Sequence, residues 1–337
     1  MTDKGGVRAS SLNRELLKYR LAPSSCTMDG ATCLPGTRGF VYVATGELFF
    51  REAAESASSL RTSNPNERIC LVADKVHGEK FWDDLVLVES PSFDFRDKLL
   101  VSRCPYEKFI FLDADTYVTG ELSEVFELLE DFDVIGHQLF EGRDYKCPGV
   151  PESFPEFNGG VFGYRRSPPV EKFFADLLAT YLEHRAHNTG GFYDYSNVSE
   201  QKAFRITLYK SGLRHSVLGP EYNFIVQHVQ FACVKVKILH GRPNSELKRI
   251  ARLVNAELGS RAWIPILDSC VGQKMAVSGW VKVAGLSFLQ ALRKLAFVVT
   301  PSGLRRHFRS SRILRQIFLR NESPPPREVE HKRKWGL

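Results

Sequence analysis

Two periods of apolar and polar residues take turns along the first 240 residues. Short runs of bulky apolar residues read as strands, and stretches with apolar positions every three or four residues read as helices. Phe40 to Thr45, Ile69 to Ala73, Leu85 to Val88, Phe109 to Leu112, Asp133 to Gly136 and Gly160 to Tyr164 form the strand-like runs. Val217-Leu218 and Val234 to Leu239 predict two later strands. Between the first two runs, Phe49, Ala53, Ala57 and Leu60 mark a helix that closes at Asn64-Pro65. Residues 97–103 predict a short helix, and Leu122, Val125, Phe126 and Leu129 mark one face of another. Ser167 followed by Pro168 caps a helix carrying Phe173, Phe174, Leu177, Leu178, Tyr181 and Leu182. A polar loop over 187–198 precedes a helix over 199–211.

Strand–helix–strand order implies right-handed parallel units. Their repetition predicts an α/β domain over residues 38–245, doubly wound around a mixed central sheet. Residues 1–37 lack periodicity and read as a loose N-terminal arm. Residues 246–320 read as a basic, largely helical C-terminal extension, and 321–337 as a flexible tail.

The Phe109 run ends in Asp113-Ala114-Asp115. Four apolar residues in a row read as a strand buried on both faces, with two carboxylates at its carboxyl end. Ligands of open α/β sheets bind outside those ends. Two close carboxylates repel each other unless a cation lies between them, and hard oxygen donors suit magnesium or manganese. The plainer alternative is a solvated or helix-capping turn. Three further features follow in order. Asn158-Gly159-Gly160 enters a strand, either as a turn or as backbone that a ligand approaches closely. Glu200-Gln201 opens a helix, where Asn197 and Glu200 fit a capping box, which leaves Gln201 unexplained. His240 ends an apolar run, either as a structural histidine or as a nitrogen donor beside the acidic pair.

In this order the residues resemble nucleotide-sugar glycosyltransferases of the GT-A fold, nearest to the glycogenin and bacterial galactosyltransferase-like group called family 8. The resemblance covers roughly residues 38–245. It rests on Phe111 to Thr116, Leu122 to Phe126, Phe157 to Val161, Glu200-Gln201, the Leu218-Gly219-Pro220-Glu221-Tyr222-Asn223 turn and, in part, His240-Gly241. It implies that Asp113, Asp115 and His240 hold Mn2+ (or Mg2+) against the diphosphate of a nucleotide sugar, a UDP-sugar by family likeness. Catalytic roles fall by resemblance on Asn158, Glu200 and Gln201, with Asn158, Gly159 and Gln201 facing the transferred sugar. Ala44, Thr45 and Asp74 would lie near the nucleoside, and Ala114, Gly160 and Gly241 would complete the donor site. Two departures stand out. The family's acid before Gln is commonly Asp rather than Glu200, and the Lys-Pro-Trp expected after His240 is missing. Arg242 is the candidate replacement cation, since guanidinium grips phosphate in two-pronged fashion. Arg96 and Lys98 are candidates for phosphate contact or for a solvated helix start.

The expected activity is transfer of a sugar to a glycan, lipid-linked or protein acceptor, with retention of configuration. A haloacid-dehalogenase-type phosphatase also places Asp-x-Asp after an apolar strand, but Tyr117 stands where that family has Thr or Val. A catalytically inactive scaffold of the same fold, acting through the basic extension, is the reading from a different class.

Charge and cysteine content bear on compartment and partners. The chain carries 46 Lys+Arg against 39 Asp+Glu, but residues 241–337 alone hold 19 against 6. A mildly acidic body therefore carries a basic end that suits an anionic membrane surface better than nucleic acid, for which no motif is present. Arg305 to Arg320 interleaves arginines with bulky apolar residues, as an interfacial helix does or as a packed helix with a solvated basic face does. The cysteines, Cys26, Cys33, Cys70, Cys104, Cys147, Cys233 and Cys270, are odd in number and form no C-x-x-C. That usage predicts a reducing, cytoplasmic setting, with the protein either soluble or, through its basic end, peripheral to the inner face of a membrane.

Overall fold

The structure, a computed structural model, describes residues 34–139, 147, 149–186 and 199–272. The N-terminal arm up to residue 33 (with Cys26 and Cys33), the expected loop 187–198 with Asn197, and the expected helices and tail after Gly272 lie outside the described residues. The five cysteines within them are free thiols.

The architecture is α/β with a mixed central sheet. Strands β1 (Leu34–Ala44), β2 (Arg68–Ala73), β3 (Asp84–Leu87), β4 (Tyr106–Leu112), β6 (Val134–Gln138), β7 (Phe157–Arg165) and β8 (His215–Leu218) form it in the order β3-β2-β1-β4-β7-β6-β8. The first four run parallel, β7 runs antiparallel to both β4 and β6, and β8 is parallel to β6. The order reverses at β1, which pairs with β2 on one side and β4 on the other. A crevice for a ligand forms at such a switch point.

Side-chain alternation along the strands splits the core into two layers. Phe109 and Phe111 of β4 and Val41 of β1 face one cluster. Helix α3 (Pro168–Ala186) and helix α4 (Gln201–Ser211) cover it with Phe173, Phe174, Leu177 and Phe204. Ile110 and Leu112 face the other, with Phe40, Tyr42 and Ala44. Helix α1 (Glu47–Ser63) and helix α2 (Ser123–Asp131) cover that face through Phe50, Ala53, Ala57, Leu60, Val125, Phe126 and Leu129. The α1 stripe is centred on Phe50, 2% exposed, and not on the expected Phe49, which is 41% exposed. Spacing alone does not separate the two, since both lie within about 60° of Ala53 on the helical wheel. The expected cap on α3 is present: Ser167 Oγ accepts from Val170 N at 3.4 Å, and its carbonyl accepts from Glu171 N at 2.9 Å.

Short strands build a second, smaller sheet beside the acidic turn. β5 (Thr116–Val118) pairs antiparallel with β11 (Ile238–His240), which pairs parallel with β9 (Phe224–Ile225). The expected strand over 234–239 is thus confined to its last residues. β10 (Gln230–Ala232), β12 (Arg261–Ile264) and β13 (Ser269–Gly272) make a third sheet. Helix α5 (Asn244–Val254) packs Leu247, Ile250, Ala251 and Val254 around Trp263, whose indole N–H donates to Val226 O at 2.8 Å. The compact unit therefore continues to Gly272, beyond the boundary expected at 245. No helix among the described residues is long and apolar enough to cross a membrane.

Candidate functional site

β4 ends at Leu112, and the backbone holds the acidic turn from both sides. Asp113 N donates to Gly160 O of β7 at 2.8 Å, and Gly241 N donates to Asp115 O at 2.8 Å. Beneath the turn runs a buried hydroxyl chain: Tyr42 with Ser56 at 2.9 Å, Ser56 with Thr116 at 2.7 Å, and Thr116 Oγ1 donating to Asp113 O at 2.9 Å. The antiparallel register of β5 with β11 sets His240 opposite Thr116, one residue beyond Asp115. Asp113, Asp115 and His240 then each offer a donor atom, all within 4.8 Å of one another. His240 Nε2 lies 3.4 Å from Asp115 Oδ1 and 3.8 Å from Asp113 Oδ2.

The second shell decides which imidazole nitrogen is available. His240 Nδ1 is 3.0 Å from Asn223 Oδ1, and an amide oxygen only accepts, so Nδ1 carries a proton and Nε2 is the nitrogen whose lone pair the neutral ring offers. Asn223, fully buried, donates in turn to Asn158 Oδ1 at 2.9 Å, which also accepts from Gly160 N at 2.9 Å. Such a carboxylate–imidazole set with an anchored second nitrogen fits a divalent cation. Burial works to raise the Asp115 carboxyl pKa, but His240, Arg242 and Lys98 outweigh it and hold the group well below the usual carboxylate range. The structural histidine of this region is instead His137 on β6, 1% exposed, which burial pushes down to about 4.

Gly159 and Gly160, adjacent on β7, serve opposite faces. A Cβ on Gly160 would lie 2.2 Å from His240 Cε1, and one on Gly159 would lie 2.2 Å from Glu200 Oε1. The glycine pair therefore lies within a strand and not in a turn. It is space taken by two side chains of the site. Glu200 departs from the capping expectation as well. Its carboxylate makes no cap hydrogen bond, and Ser199 Oγ accepts from Gln201 N at 3.2 Å in its place. The Glu200 side chain turns inward, buried, with Oε1 lacking a hydrogen-bond partner and 3.6 Å from Lys98 Nζ. Burial raises its pKa; Lys98 opposes the rise and the charge of Asp113 adds to it. Lys98 Nζ sits 2.5 Å from Asp113 Oδ2 and 3.4 Å from Gly159 O.

Arg242 is anchored beside the acidic pair. Its guanidinium grips Glu52 of α1 through Nε and Nη2 at 2.9 and 2.7 Å, lies 5.4 Å over the Phe49 ring, and brings Nη1 within 3.7 Å of Asp115 Oδ2. Ala114 is buried, and its carbonyl accepts from Asn244 Nδ2 at 3.3 Å. At the ends of β1 and β2, Ala44 is buried, Thr45 Oγ1 donates to Asp97 Oδ2 at 2.8 Å, and Asp74 Oδ1 accepts from Gly46 N at 2.9 Å. Asp97 also accepts from Ser92 N and Phe93 N, fixing the turn that carries the exposed Phe93. Arg96 is directed to Asp94, 3.4 Å away, whereas Lys98, in the same 3-10 segment (Phe95–Arg103), reaches the site. Gln201 is half-buried at the start of α4. Asn223 and Glu52 are the site residues not singled out from the sequence. Asn223 had a signal, the Pro220-Glu221-Tyr222-Asn223 turn, whereas Glu52 had none.

No protein family profile matches the chain, and no curated protein does. Solved structures similar to it include the glycosyltransferase GlyE of Streptococcus pneumoniae TIGR4, at 19% identity over 57% of this chain and 47% of that one, TM-score 0.40. The galactosyltransferase LgtC, solved with donor and acceptor sugar analogues, is 14% identical over 63% of this chain and 95% of its own, TM-score 0.44. Mouse xyloside xylosyltransferase 1 is 14% identical over 62% of this chain and 98% of its own, TM-score 0.39. The chain spans about half the length of the S. pneumoniae protein.

Proposed function

We propose that the protein is a metal-dependent glycosyltransferase that moves a sugar from a nucleotide-diphosphate donor, a UDP-sugar, to a glycan, lipid-linked or protein acceptor. The observation that carries this reading is the convergence of Asp113, Asp115 and His240 Nε2 at the carboxyl end of β4, beside the switch point of the sheet. Those three residues would hold manganese or magnesium, with imidazole favouring the former. When bound there, the cation supplies positive charge that offsets the negative charge building on a diphosphate leaving group. Arg242, fixed by Glu52, adds a second positive charge already oriented before reaction, which is worth most as that charge develops. Ala44, Thr45 and Asp74 belong to the nucleoside end in this reading, and Asn158, Gly159, Gly160 and Gln201 to the sugar end. Departure of the leaving group makes the anomeric carbon oxocarbenium-like. Retention of configuration belongs to the same proposal, with the acceptor guided by the leaving phosphate.

The test is donor hydrolysis and binding across UDP-, GDP- and CDP-sugars, with and without manganese, beside Asp115→Ala and His240→Ala. Manganese-dependent turnover of one donor, lost in both variants, is the expected result. A folded protein that binds none of the donors overturns the reading in favour of a scaffold.

A further inference from the structure

Two acids compete for one ammonium in the site. Lys98 Nζ stands 2.5 Å from Asp113 Oδ2 and 3.6 Å from Glu200 Oε1. His240, 3.8 Å from Asp113 Oδ2, lies against Gly160 of β7, whereas Glu200 lies against Gly159, with Lys98 Nζ nearby. Glu200 is 6% exposed, and its Oε1 has no hydrogen-bond partner. Burying a carboxylate oxygen without a donor is costly, and the nearby cation is committed to a different carboxylate. This arrangement leaves Glu200 Oε1 without a hydrogen bond and gives Asp113 Oδ2 a close one. Yet Asp113 is the residue whose oxygen a divalent cation needs. An ammonium and a divalent cation cannot share that oxygen cheaply, because like charges a few ångströms apart repel strongly in a buried setting.

We infer that Lys98 is a tethered counter-ion that holds Asp113 while no metal is bound, and that it passes to Glu200 when the acidic pair takes a divalent cation. The inference rests on the metal site proposed above and adds to it a resident competitor with a prepared second partner. The exchange balances. Asp113 trades an ammonium for a metal ion, and Glu200 gains the hydrogen bond it lacks. The two acids lie 2.5 and 3.6 Å from the same ammonium, so the move from one to the other is a short rotation of the lysine side chain, which is 22% exposed. Lys98 also touches Gly159 O at 3.4 Å, so the move alters the hydrogen bonding of the β7 backbone between the two acids. Lys98 and Glu200 are positioning residues in this account: they act on the metal through Asp113.

Manganese affinity of the full chain, read from the electron paramagnetic resonance signal of free Mn(II), tests the inference without substrate or turnover. Lys98→Met is expected to tighten Mn(II) by about tenfold and Glu200→Gln to weaken it by about tenfold, the low end of outer-shell effects on metal affinity. The double variant should bind like Lys98→Met, because Glu200 matters only as the place where the lysine goes. Circular dichroism of each variant establishes that it is folded, and Lys98→Arg, which keeps the charge, should lie near the wild type. Three outcomes overturn the inference. Lys98→Met binding Mn(II) more weakly would make the lysine a support of the site. Glu200→Gln weakening Mn(II) equally with and without Lys98 would reduce Glu200 to a background charge. Wild type that binds no Mn(II), although folded, would remove the metal site itself and with it the proposed function.

Discussion

At the scale of single residues, the site depends most on atoms that never touch the proposed metal. Asn223 sets the tautomer of His240 and at the same time supplies a donor to Asn158, from a fully buried position. Asn223→Ala removes both bonds and leaves an imidazole N–H buried without an acceptor. The expected result is Mn(II) affinity lowered about 10- to 100-fold, measured by titration, as for other outer-shell partners of ligating histidines. Residues of this kind are hard to read from a sequence, because an asparagine after a Pro-x-Tyr turn has no local periodicity that points at a histidine seventeen residues on. Asp113, Asp115 and His240 were legible for the opposite reason. Each ends an apolar run, and charge at the end of a buried strand is conspicuous. Glu200 was misread as a cap because local pattern favours capping. Its carboxylate takes the space beside Gly159 on a distant strand, where a Cβ would lie 2.2 Å from Oε1.

Among the elements, the strands of the central sheet were visible as apolar runs, β11 only in part, and β5 and β9 not at all. β1, β2, β4 and β7 carry enough consecutive apolar residues to declare themselves. β5, β9 and β11 are two or three residues each, and they exist because a partner strand completes their hydrogen bonding. These are also the elements that assemble the metal donors. α1 contributes in a way its apolar stripe conceals: Ser56, fully buried on its inner face, joins Tyr42 of β1 to Thr116 of β5. Ser56→Ala leaves the Tyr42 hydroxyl buried and without that partner. It is expected to cost about 1–3 kcal/mol of stability in urea denaturation, the desolvation penalty of an orphaned polar group. Burial has already raised the pKa of that phenol above its ordinary range, so ionisation does not relieve the loss.

For the whole molecule, the compact unit and the basic end separate along the chain. The third cluster needs the buried residues of α5, Leu247 to Val254, and Trp263, all of which lie beyond residue 245. A chain ended at Ser245 would lose them and expose Phe224, Val226 and Leu239, the last of which adjoins His240. We expect that truncation to be unfolded or aggregated by circular dichroism and size-exclusion chromatography. A chain ended at Gly272 should keep its fold and its Mn(II) affinity. Residues 273–337 hold 14 Lys+Arg against 3 Asp+Glu, and we expect the full chain, but not this truncation, to co-sediment with anionic vesicles. Equal sedimentation of the two chains would place membrane attachment elsewhere or nowhere.

The pairing of Thr116 with His240 has a consequence for the protein's own synthesis. Chains emerge from the ribosome N-terminus first, and the early strands β1, β2 and β4 can begin to associate while later segments are still being made. The acidic turn is then present for much of translation, but its third donor is not. Until β11 has emerged and found β5, Asp113 and Asp115 form a bare pair in which Lys98 is the resident cation. If the acidic pair takes a metal as proposed, complete loading then reports that the far half of the domain has arrived.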